Sequence, residues 1–235
     1  MEDVGLYARQ TDIFNPFNPA HQRPIYAVGA GTIGSWVMFG LGKLGFNNMT
    51  WIDDDAVELH NCSNQMFPPS MVGKSKLASM VSLMKSFSLT PPNVSPTKFL
   101  SEGGLLPWME NTIMVSCVDN MATRKAMFEI AKMNKAVRHF VDGRMAGQVI
   151  IVFVVDMQNA ESIAFYETSL HSDDSSHIQN DEVRTASDVP CTARSIVDVA
   201  MIISGKMVGA IRKLATDGYN APHFVFDAKN DILLS

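Results

Sequence analysis

The chain has 235 residues, 46% hydrophobic and 18% charged, with a formal net charge of −5. That is enough apolar material for the core of one α/β domain, and too little charge for a chain disordered throughout. The acidic balance leaves no footprint for nucleic acid, and the longest apolar run, Val149 to Val155, cannot span a membrane.

Residues 1–23 read as a polar N-terminal arm with turn signals at Asn15-Pro16 and Asn18-Pro19, and 24–235 as a single domain. The arm starts Met1-Glu2-Asp3, with no apolar stretch of the kind a signal peptide needs. Pro24 to Val28 is a first strand, and Ser35 to Leu44 a helix that Gly45 is placed to end. Asn48 to Ile52 is a second strand that stops at three aspartates. Lys74 to Phe87 is helical, with Leu77, Met80, Val81 and Met84 on one face. Leu89 to Pro96 holds three prolines and is expected to be loop, with a short strand over Thr97 to Leu100. Thr112 to Val118 is a nearly continuous apolar run, as for a strand buried on both faces. A helix over Met121 to Asn134 and a strand over Arg138 to Val141 follow. This alternation is the pattern of a doubly wound parallel sheet.

No helix separates Val141 from the next strand, Gly147 to Val155, so the sixth strand is expected to run antiparallel. Residues 167–189 are crowded with polar side chains and read as a long surface loop. Ala193 to Ala215 is a long helix with an apolar side, and His223 to Phe226 a last strand. The expected fold is therefore α/β and Rossmann-like, mostly parallel, with an antiparallel extension after the fifth strand.

Gly29-Ala30-Gly31-Thr32-Ile33-Gly34 is a G-x-G-x-x-G run between a strand and a helix. In that setting the glycines give a tight turn, a close backbone approach to phosphate and an anion site at a helix N-terminus. Asp53 ends the second strand, 24 residues after Gly29, where an acid binds ribose hydroxyls. Taken alone, these features describe a nicotinamide-dependent oxidoreductase. Asp53-Asp54-Asp55 is richer in acid than a ribose needs, however. Asn61, Asn64, Gln65 and Lys76 also cluster where a dehydrogenase needs nothing.

Ile52-Asp53-Asp54-Asp55-Ala56-Val57 followed by Asn61-Cys62-Ser63-Asn64-Gln65 resembles the D-x-D-x-V…N-x-x-R-Q stretch of the ThiF/MoeB-like adenylyltransferases, relatives of ubiquitin-activating enzymes. Val72-Gly73-Lys74-Ser75-Lys76 resembles their V-G-x-x-K, Cys117-Val118-Asp119-Asn120 their C-x-D-N, and Arg9-Gln10 their early R-Q. The resemblance implies a homodimer that binds ATP and magnesium. It would adenylate the C-terminal carboxylate of a small ubiquitin-like protein or peptide; the cytoplasm is expected separately, from the cysteine usage. Gly29, Gly31 and Gly34 would then line the phosphates and Asp53 would hold the ribose, with Asp55 beside it. Asn61, Asn64, Gln65, Lys76 and Asn120 would complete the nucleotide site. Asp119 would hold magnesium, and Arg9 would reach the neighbouring subunit's ATP. Read without the resemblance, Lys76 is a solvated helix lysine, Asp119 an N-cap and Arg9 a mobile arm residue. A non-catalytic relative that only binds nucleotide or a partner is a further reading.

Two departures from the family pattern stand out. Asn64 occupies the place of an arginine, a loss of charge for which Lys74 or Arg144 would compensate. The family's zinc-binding cysteine pairs are absent, so no zinc is expected. Cys62, Cys117 and Cys191 form no CxxC and no disulfide framework, as in a reducing compartment. Cys62 and Cys117 read as structural. Pro190-Cys191-Thr192 resembles the setting of a thioester cysteine, and a helix start with Arg194 nearby would favour its thiolate. Cys191 is thus a candidate nucleophile or a small packed residue.

Overall fold

The computed structural model describes residues 4–99, 108–170, 196–216, 218–219 and 221–234. Its centre is an eight-stranded sheet in the order β3-β2-β1-β4-β5-β6-β7-β8. The strands are β1 (Ile25–Val28), β2 (Met49–Ile52), β3 (Asn93–Ser95), β4 (Thr112–Ser116), β5 (Val137–Ala146), β6 (Val149–Asp156), β7 (His223–Asp227) and β8 (Ile232–Leu234). The first five pair in parallel, and β6, β7 and β8 run antiparallel to their neighbours. The helices are α1 (Val4–Tyr7), α2 (Gly34–Leu44), α3 (Lys76–Ser86), α4 (Met121–Met133), α5 (Ala160–Glu167) and α6 (Val197–Ala215).

Helices α2, α3 and α6 bury Met38, Leu41, Met80, Met84, Ile203 and Met207 against one face of the sheet. Met127 and Phe128 of α4 and Tyr166 of α5 fill the other. Helix α2 ends at Gly45, whose left-handed φ of 90° lets its N–H reach back to Gly42 and Leu41 carbonyls. The chain winds from β1 outward to β3, then returns to lay β4 on the other side of β1. The strand order reverses there, and in open α/β sheets ligands bind at such a switch point, beyond the C-terminal ends of the strands, here β1 and β4.

Several expectations need correction. The third strand is Asn93–Ser95, inside the proline-rich stretch expected to be loop, and not Thr97 to Leu100. It is an edge strand flanked by Pro91, Pro92 and Pro96, positions where a missing N–H costs no ladder bond. Leu100 lies outside the described residues. Strand β5 runs five residues beyond Val141, through Asp142, Gly143 and Arg144 to Ala146. A side chain on Gly143 would strike Met207 of α6, so strand and helix touch where the sequence looked broken. Gly147, with φ 59°, then opens a two-residue hairpin into β6.

Helix α5 was not expected. Asn159 caps it by accepting from the N–H groups of Glu161 and Ser162. It takes Glu167 out of the expected loop, whose residues 171–189 lie outside the described ones. Helix α6 begins at Val197, because Ile196 has extended backbone. The arm is anchored: Phe14 is fully buried, stacks on His21 and packs on Phe46.

Candidate functional site

The glycine turn lies between the C-terminal end of β1 and the start of α2. Gly29 has φ 95°, and a Cβ there would lie 2.6 Å from the Cys117 carbonyl oxygen, so the turn and the end of β4 touch through backbone alone. A Cβ on Gly34 would strike the Gly29 carbonyl. Both glycines are therefore required by the protein's own packing. Gly31 is different: a side chain there would meet no described atom within 4 Å. Its missing side chain leaves open space above the turn.

Asp53 braces this turn. Its Oδ2 accepts the Ala30 N–H at 2.7 Å and its Oδ1 the Asp55 N–H at 2.9 Å. Burial pushes the Asp53 carboxyl up, against the pull of the Ala30 N–H and of Lys76. Trp51 Nε1 donates to the Gly29 carbonyl at 2.8 Å, a support that β-strand patterning alone did not reveal.

Lys76 opens α3 and is buried, with 7% of its surface exposed. This overturns the reading of a solvated helix lysine. Its Nζ donates to Asp55 Oδ2 at 2.6 Å, and Asp55 is exposed. Gly turn, Asp53, Asp55 and Lys76 thus form one group. Ser75 caps α3, which fixes where Lys76 projects.

Asn61 and Asn64 are buried on the segment between β2 and α3. Asn61 Oδ1 accepts the Glu58 N–H at 2.8 Å and closes a capping box, a folding role already filled. The Asn64 carbonyl accepts from Trp36 Nε1 of α2 at 2.9 Å. Gln65 Oε1 is buried with no hydrogen-bond donor among the described residues, an acceptor left over.

Asp119 and Asn120 follow β4. Asn120, not Asp119, caps α4: its Oδ1 accepts the Thr123 N–H at 2.8 Å. Asp119 is exposed, and its Oδ1 lies 3.3 Å from Asn120 Nδ2. The carboxylate is thereby left for another use. Among the described residues no three His, Cys, Asp or Glu side chains form a metal site. A cation here would be held by Asp119 together with ligand oxygens, the manner usual for magnesium.

Arg144 does not replace the missing arginine. It is buried, donates to Asp142 at 2.6 Å and holds Ser169 through two further bonds. Lys74 is exposed. Arg9 is exposed and is not brought to this group. Its neighbour Gln10 is tied to the Leu44 carbonyl at the far end of α2. Cys117 is buried and burial pushes its thiol up, as befits a structural residue. Cys191 lies outside the described residues. No described helix is long and apolar enough to cross a membrane.

The profile of the ThiF family matches residues 18–228. Ubiquitin-like modifier-activating enzyme 5 of Drosophila simulans is 26% identical over 143 residues, covering 53% of this chain and 35% of that protein. The Drosophila melanogaster protein of the same name is equally similar, with the same coverage. The chain thus spans about a third of the length of the curated relatives it matches. Among solved structures, E. coli MccB with AMPCPP and MccA superposes with a TM-score of 0.71 at 12% identity, over 100% of this chain and 71% of that one. PaaA superposes with a TM-score of 0.70 at 19% identity, over 99% and 72%. The glycine turn, the reversed strand order and this match over most of the chain agree, and the chain belongs to the ThiF family.

Proposed function

We propose that this protein uses ATP and magnesium to adenylate the C-terminal carboxylate of a small ubiquitin-like protein or peptide. The observation that carries the reading is the buried Lys76, held at 2.6 Å from an exposed carboxylate beside a glycine turn open at Gly31. A buried cation next to an anion-binding turn suits polyphosphate. The names of the relatives support the substrate class: one activates ubiquitin-like modifiers, and another was solved with AMPCPP and MccA.

In this reading an acceptor carboxylate oxygen attacks the α-phosphorus, the bond to the β-phosphate oxygen breaks, and pyrophosphate leaves with the electron pair. The carboxylate is ionised at neutral pH, with a pKa of roughly 4, so no general base is required. The protein's task is orientation and charge. Gly31 admits the phosphates, Asp53 keeps the turn in place and offers its edge to the ribose, and Lys76 meets charge growing on phosphate oxygens. Asp119 would hold magnesium, which supplies positive charge against those oxygens when bound. Pyrophosphate exchange, with small proteins ending in Gly-Gly as acceptors, tests the reading; ATP binding without exchange against any of them would overturn it. Whether a thioester follows is read from Cys191→Ala, which would leave exchange intact and remove a thiol-labile adduct.

One observation favours a second reading, a relative that binds nucleotide without turnover. Asn64 stands where the family carries arginine, and Arg144 is committed to Asp142. Saturable ATP binding with no exchange is its signature.

A further inference from the structure

A second polar cluster lies buried beside the end of β4, at the middle of β5. Asp142 of β5 has no exposed surface. Arg124 Nε donates to its Oδ1 at 2.9 Å, while Arg144 Nε and the Tyr166 hydroxyl donate to its Oδ2 at 2.6 and 2.9 Å. Burial pushes the Asp142 carboxyl up, but the two guanidiniums outweigh it and hold the group below the usual carboxylate range. Taking three charges out of water is costly, and apolar residues of similar volume would stabilise a core as well. Stability alone is therefore a poor reason for the cluster.

Its geometry supplies another. Arg124 Nη2 donates at 2.7 Å to the carbonyl of Val118, the residue directly before Asp119. One planar guanidinium thus grips β5 through Asp142 and the backbone of the β4–α4 turn through Val118. Asn120 fixes the same turn from its other side, through Thr123. A lysine, with a compact charge, could face Asp142 but could not also reproduce the fork to Val118.

We propose that Arg124, braced by Asp142, is a positioning residue that sets where the Asp119 carboxylate stands toward bound nucleotide and its magnesium. This rests on reading Asp119 as the magnesium holder. The experiment is calorimetric titration of the protein with ATP, once with magnesium chloride and once with EDTA. The ratio of the two affinities measures metal coupling. Melting temperatures and amide exchange at Asp119 and Asn120 accompany it.

Asp119→Asn should bring the ratio to about one, its value when coupling is absent. Arg124→Lys keeps a charge facing Asp142 but loses the bond to Val118, so its melting temperature should fall about as far as that of Tyr166→Phe. Its ratio should fall about tenfold, the scale of losing a partner that orients a metal ligand. Amide exchange at Asp119 and Asn120 should quicken. Tyr166→Phe removes a donor to Asp142 without touching Val118. It should lower the melting temperature and leave ratio and exchange unchanged. Asp142→Asn, which frees Arg124 with little change of volume, should lower the ratio too.

An unchanged ratio in both Arg124→Lys and Asp142→Asn, beside a lost one in Asp119→Asn, would overturn the proposal. So would a ratio that falls with melting temperature in Tyr166→Phe as well, since the cluster would then be structural only. If Asp119→Asn itself leaves the ratio intact, the reading of the site fails instead. Unaltered amide exchange at Asp119 and Asn120 in Arg124→Lys would then overturn the positioning role separately.

Discussion

Gly31 and Gly34 belong to one turn, yet alanine at each should report a different property. At Gly34 the added methyl strikes the Gly29 carbonyl, so Gly34→Ala should lower the melting temperature sharply. At Gly31 it enters open space, so Gly31→Ala should leave melting unchanged and weaken ATP binding. Equal effects in a thermal melt would remove the distinction. Lys76→Ala should reduce the pyrophosphate exchange rate far more than ATP affinity, because a cation meeting charge that grows during reaction acts mainly on rate. Steady-state kinetics with direct ATP titration checks this, and a lost affinity at an unchanged rate would contradict it. Lys76 was given its role only by its resemblance to a family motif, whereas the glycines and Asp53 were legible because spacing alone places them at strand ends and a helix start. Asp142 and Arg124 were not. A charged residue within an apolar run looks like the end of a strand until its partners, brought from α4 and β5, are seen.

Among elements, the parallel strands around β1 were legible from apolar runs closed by glycine or aspartate. Strand β3 was hidden because prolines mark an edge strand and a loop alike. Strand β5 carries a further consequence at its opening end. Arg23, just before β1, donates to the Asn111 carbonyl, to the Leu214 carbonyl of α6 and to His139 Nδ1 of β5, the last at 3.0 Å. It joins the starts of three strands to the end of a helix. Burial, aided by Arg23 and Arg138, lowers the His139 pKa from the usual 6.5 to about 3. The unfolded chain therefore takes up this proton first, and stability must decline as pH falls from about 6.5 toward about 3. His139→Gln, which cannot be protonated, should flatten that part of a denaturation-against-pH profile. An unaltered slope would show that His139 does not contribute to it.

For the molecule as a whole, the position of Arg9 is decisive. The glycine turn meets the first residue of α2, whereas the arm is fastened at its last residue, about 15 Å away at ~1.5 Å per residue. Arg9, whose neighbour Gln10 is held at that far end, is exposed. We infer a two-fold dimer in which it serves the partner's site. Mixing Arg9→Ala chains with Lys76→Ala chains should then restore about one working site per mixed dimer, as expected when the two groups act from different chains. A monomer in sedimentation, or no recovery on mixing, would contradict this. The reach of Arg9 to a neighbouring subunit comes from the family resemblance of its motif, because distance along a chain does not by itself show which copy of a site a residue serves.

Parallel pairing also sets a schedule for synthesis. Ile25 of β1 lies beside Ile113 of β4, 88 residues later. At about 5–20 residues per second, a ribosome needs about 4 to 18 s to supply that neighbour. Until then β1 has an open flank, and the hydrogen-bonding groups on that side have no strand to pair with. The glycine turn takes its final form only when the Cys117 backbone arrives against Gly29. The pocket is thus assembled late, and a chaperone that shields nascent strands would raise the yield of this protein more than it would for one built from hairpins.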